Sequence, residues 1–96
     1  MAAHLSFKER EAFACRLRSS LHAAGFDPDS PAQLRALFHS ESQGKNISPS
    51  TAYKWLLGET LPDTGNMEVV ARACGVCPDW LRTGLSRNDN KERISS

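Results

Sequence analysis

Proline and glycine punctuate residues 47–84 (ISPSTAYKWLLGETLPDTGNMEVVARACGVCPDWLRTG) so closely that only short helices fit between them. Ser48-Pro49 and Cys77-Pro78 are helix starts. Proline suits the first helical position because the N–H it lacks has no acceptor there. Gly58, Gly75 and Gly84 are placed as stops. Between these marks the apolar residues recur at helical spacing. Ala52, Trp55 and Leu56 form one stripe, and Met67, Val70, Ala71 and Cys74 form a second. Asp63 is expected to cap a helix over about Thr64–Cys74. Cys77 is expected to cap a shorter one, with Trp80 and Leu81 turned inward.

The first half of the chain follows the same grammar. Ser6 and Glu9 fit a capping box, opening a helix from Phe7 to about Ala24. Ala14, Leu17, Leu21 and Ala24 form its stripe, which Phe7 and Phe13 widen. After Gly25 and the turn Asp27-Pro28-Asp29, a second helix starts at Ser30, with Pro31 in its first turn and Gln33 completing a second capping box. Leu34, Leu37 and Phe38 give its apolar face, and the pattern fades after His39. Ser40–Asn46 (SESQGKN) is polar and aperiodic, which predicts a loop. No segment alternates apolar and polar residues as a strand does. The expectation is an all-α domain of five short helices over residues 6–84. A short arm (1–5) precedes it, and a polar tail (85–96, LSRNDNKERISS) is expected to be disordered or frayed.

Composition narrows the function classes. A chain of 96 residues, 40% hydrophobic, supports one modest core. No apolar stretch approaches the ~20 residues that span a bilayer. The opening MAAHLSFKER lacks a basic region followed by an apolar one. A cytoplasmic protein with no membrane partner is therefore expected. Net charge is only +1, and residues 6–58 hold seven bases against five acids, so bulk electrostatics neither supports nor excludes nucleic acid. Cys15, Cys74 and Cys77 do not make a secreted disulfide framework. Cys74 and Cys77 form a lone C-x-x-C, and the three histidines lack ligand spacing with it, which argues against zinc. No nucleophile–base pair, metal cluster or phosphate loop argues for an enzyme, and no cofactor is expected.

The third helix carries the most specific chemistry. A helix N-terminus has unpaired N–H groups and partial positive charge, so it accepts phosphate. Ser48, Ser50 and Thr51 place small hydroxyls there. Lys54 projects from the same face as Ser50, one turn on, and lysine reaches guanine O6/N7 or a phosphate. Tyr53 fits a thymine methyl or a phosphate. The same residues also suit an ordinary helix start followed by a solvated charge.

The run Ile47-Ser48-Pro49-Ser50-Thr51-Ala52, then Trp55-Leu56, Gly58, Leu61-Pro62-Asp63, Val70-Ala71, Gly75-Val76, Pro78-Asp79-Trp80-Leu81 and Thr83-Gly84, resembles lambda-repressor-type helix-turn-helix domains. That family includes the phage Cro and CI repressors and many bacterial regulators. The resemblance is specific over these forty or so positions and extends, through the first two helices, to residues 6–84. It implies a five-helix lambda-repressor-like fold whose third helix is the recognition helix. Pro49, Ser50 and Lys54, with Tyr53 beside them, then fall among the base-reading positions. Ser48 and Thr51 fall among the phosphate contacts. Ser30 and Gln33, at the start of the second helix, and Lys45, in the loop, are further phosphate candidates.

Four departures stand out. Leu34 to Ser48 spans fourteen positions, about twice the compact spacing of a helix-turn-helix. Glu59 follows Gly58 where a base is common. Pro31 replaces a DNA-contacting Gln, for which the neighbouring Gln33 is a substitute. Cys77 replaces the usual capping Ser. The implied function is a phage or prophage repressor that binds a palindromic operator in double-stranded DNA as a homodimer, with half-sites ~34 Å apart. The chain would be a complete Cro-like protein or an isolated DNA-binding domain. Two rivals stand beside this reading. One is an antitoxin or adaptor whose main partner is a protein. The other is a thiol sensor using Cys74 and Cys77.

Overall fold

The computed structural model describes residues 6–85, so the arm at 1–5 and the tail beyond Leu85 lie outside the described residues. Five helices follow in order: α1 (Phe7–Ala23), α2 (Pro31–Glu41), α3 (Pro49–Leu57), α4 (Thr64–Cys74) and α5 (Pro78–Thr83). The described residues include no strand, and the fold is all-α. No helix among them is long and apolar enough to cross a membrane.

Each of the first four helices begins at a side-chain cap. Ser6, Ser30, Ser48 and Asp63 accept hydrogen bonds from the backbone N–H of Glu9, Gln33, Thr51 and Asn66, at 3.1, 3.2, 3.0 and 2.9 Å. The Ser6–Glu9 box is reciprocal, with the Ser6 N–H donating to Glu9 Oε1 at 2.9 Å. The second expected box is not. Gln33 Oε1 instead accepts from the Asp27 N–H at 2.9 Å, because the turn before α2 brings that amide within its reach. Cys77 occupies the cap position of α5 without a side-chain capping bond. Sulfur is a weak acceptor, so α5 depends on Pro78 at its start and on its packed residues.

The core is made by the expected stripes. Phe13, Leu17 and Leu21 of α1, Leu34 and Phe38 of α2, Ala52, Trp55 and Leu56 of α3, Met67, Val70, Ala71 and Cys74 of α4, and Leu81 of α5 are buried. The rings of Phe38 and Trp55 meet at 5.8 Å between centroids, tilted by 58°. Two members of the expected α1 stripe depart from it. Phe7 is 67% exposed and Ala24 lies on the surface at the C-cap. Both sit at the ends of α1, where one side of the helix is left to solvent. Trp80 packs against the core from its rim and is only partly buried.

Gly58 fixes how α3 leaves α1. Its φ is +79°, and a Cβ there would stand 2.7 Å from the Arg10 carbonyl oxygen. Only glycine allows that approach. On another side of α1, Arg16 donates from Nε to the Leu81 carbonyl at 3.0 Å and from Nη2 to the Arg82 carbonyl at 2.9 Å. It thereby satisfies the last turn of α5 with a cation. Burial lowers the pKa of this guanidinium, an effect partly offset by Cys15.

Helix α2 runs to Glu41, two residues past His39, where its apolar pattern fades. Glu41 Oε2 accepts from Arg72 Nε of α4 at 3.0 Å, so a distant cation holds the last turn. The chain then turns through Gln43 (φ 64°) and Gly44 (φ 107°). The remaining loop is hydrogen-bonded rather than loose. Ser42 Oγ accepts from the Lys45 N–H at 3.0 Å and donates to the Lys45 carbonyl at 3.2 Å.

Candidate nucleic-acid interface

Burial of Ala52, Trp55 and Leu56 turns the opposite side of α3 outward. Pro49, Ser50, Tyr53, Lys54 and Leu57 are all exposed there, Tyr53 at 54% and Leu57 at 47%. Ser50, Lys54 and Leu57 lie on successive turns of one face. The structure thus brings the four expected base-reading residues onto one rigid surface. Gly58 and Glu59 close the helix beneath it, the Glu59 N–H donating to the Lys54 carbonyl at 2.9 Å.

The first turn of α3 offers fewer donors than a generic helix start. Pro49 has no N–H. The Thr51 N–H is taken by Ser48 Oγ, and the Ala52 N–H donates to the Ser48 carbonyl at 3.1 Å. The Ser50 amide is left to point outward. Ser48 Oγ also donates to Thr51 Oγ1 at 2.9 Å, so the Ser48 proton is committed and the Thr51 proton remains available. Thr51 O–H, Ser50 O–H and the Ser50 N–H therefore form the donor set, with the Lys54 ammonium one turn above.

The other expected contacts lie apart from this set. Ser30 and Gln33 form their own cluster with Asp27 at the start of α2. Gln33 spends its carbonyl oxygen on the Asp27 N–H and keeps its NH2 as a donor. Lys45 lies in the loop with its Nζ 2.8 Å from Asn66 Oδ1, on the first turn of α4. Its charge is exposed but its position is tied to α4.

Sequence reasoning missed the face of α2 that adjoins α3. Arg35 donates from Nε to the Ile47 carbonyl at 2.9 Å, and His39 Nδ1 is 2.8 Å from Asn46 Oδ1. With Ala32 and Ala36, these residues line an open groove beside the start of α3. The available signal was their i, i+4 spacing next to the Leu34/Phe38 stripe, which puts both on one flank of α2.

Of the two cysteines of the C-x-x-C, Cys74 lies in the core and Cys77 is partly exposed. Cys74 is buried, and desolvation pushes its thiol up to about 11. A reactive cysteine requires the opposite shift. No family model, curated protein or solved structure matches this chain.

Proposed function

We propose that this protein is a sequence-specific DNA-binding regulator of the lambda-repressor helix-turn-helix type. In this reading α3 enters the major groove. Lys54, Ser50, Tyr53 and Pro49 face base edges, and Thr51 and the Ser50 amide meet phosphate. One observation carries the reading: an exposed helix face pairs a free first-turn donor set with a lysine one turn on, and its opposite side is locked into the core by Trp55. Rigid presentation of a few polar groups is what base readout requires. The protein acts as a homodimer on a palindromic operator, most simply as a repressor of phage or prophage origin. Selection from random-sequence duplexes tests this. An enriched inverted repeat with half-sites about 34 Å apart is expected, and a pool without enrichment would refute it.

A second reading has one observation in its favour. Leu57 and Tyr53 expose apolar surface on α3, and Leu57 borders a shallow groove along α1 beside Ala12, Ala14 and Cys15. An adaptor or antitoxin would bury that surface against protein. Such a complex would persist at salt concentrations that dissociate DNA.

A further inference from the structure

We propose that Arg35 is a positioning residue, which fixes the angle of α3 through its Nε–H and not through its charge. This rests on the DNA-binding reading of α3. Seven residues, Ser42–Ser48, separate α2 from α3. Such a link does not by itself fix one helix relative to the other, because each ordered residue costs conformational entropy that a contact must offset. The offset comes at Ile47. Its side chain is buried in the core, and its carbonyl accepts the Arg35 Nε–H at 2.9 Å. The next residue, Ser48, is the cap of α3. The peptide that launches α3 is thus held from two sides. One turn further along α2, His39 Nδ1 lies 2.8 Å from the side-chain Oδ1 of Asn46, a contact to the loop's side chain and not to its backbone. In this molecule, hydrogen bonds from the flank of α2 replace the geometric constraint of a short turn.

Donor and charge are separable at position 35. Glutamine places its amide nitrogen the same number of bonds from Cα as the arginine Nε. Arg35→Gln therefore keeps the donor and removes the charge. Arg35→Met removes both at similar length. Arg35→Lys keeps the charge and displaces the donor by one bond.

The experiment measures two quantities on the full chain for each variant: affinity for the duplex selected by the wild-type protein, and hydrogen exchange of the Thr51 and Ala52 amides without DNA. Arg35→Met is expected to lose about tenfold in affinity and to speed both amides about as much, the effect of one side-chain hydrogen bond. Arg35→Gln should stay near wild type in both measurements and keep the wild-type salt dependence. Arg35→Lys should follow Arg35→Met. If Arg35→Met does not fold, the Gln and Lys variants decide the matter alone. Gln impaired with Lys intact would overturn the proposal and make Arg35 a phosphate contact. All variants indistinguishable from wild type would overturn it as well. If the wild-type protein selects no duplex, the DNA-binding reading fails, and the exchange rates still decide whether Arg35 positions α3.

Discussion

In the proposed reading, Lys54 is the side chain on which base recognition depends most. It is exposed and stands one turn above Ser50 on α3. Lys54→Ala is expected to cost about 1–3 kcal/mol of binding and to relax preference at one half-site position, with the fold unchanged. Competition between duplexes differing at single positions measures this. A uniform loss on all sequences would assign Lys54 to phosphate instead. Ser50→Ala should repeat the pattern more weakly. Inside the core, Trp55→Ala should cost roughly 3–5 kcal/mol and unfold the domain, whereas Trp80→Ala, on the rim, should cost less. Cys74 adds a pH effect. Its thiol is raised to about 11 in the folded state. The stability gained by keeping it neutral is complete below the ordinary thiol range and is lost as pH rises toward 11. Denaturant midpoints should therefore fall across that interval, and should fall less in Cys74→Val. At this scale the sequence was legible where a side chain acts on its own backbone, as Ser6, Ser30, Ser48 and Asp63 do. It misled at Gln33, while at Cys77 the cap position was right and only the capping bond is absent. The amide of Gln33 found a nearer donor in the preceding turn, and the sulfur of Cys77 makes a poor acceptor.

Among the elements, the loop between α2 and α3 shows why spacing alone was insufficient. Its start was misplaced because α2 runs on to Glu41, which pairs on the surface with Arg72 of α4, and local periodicity carries no trace of that pair. The same holds for Arg35 and Lys45, whose partners lie 12 and 21 residues away. Lys45 separates charge from tether in a measurable way. Lys45→Ala should weaken binding to all duplexes alike and lower the slope of log K against log salt by about one unit. Asn66→Ala removes only the tether, and should leave that slope unchanged. Equal slopes for wild type and Lys45→Ala would remove Lys45 from the interface. At the other end of the molecule, Arg16→Met should free α5, because the carbonyls of Leu81 and Arg82 lose their donors. Exchange of α5 amides should rise before that of α4.

Among the described residues, the number of helices and most of the core were readable, because both follow from apolar spacing bounded by caps and glycines. The arrangement of the helices was not. It rests on contacts such as the Gly58–Arg10 approach and the Arg16 clamp, which join residues far apart in the chain. In the proposed reading, DNA meets the outer face of α3. Mapping amide chemical shifts of labelled protein against its selected duplex tests it most directly. The largest changes are expected at Ser50, Thr51, Tyr53 and Lys54, with α5 nearly silent. Changes gathered along the α1 groove near Lys8, Cys15 and Arg18, with the first turns of α3 unmoved, would contradict it.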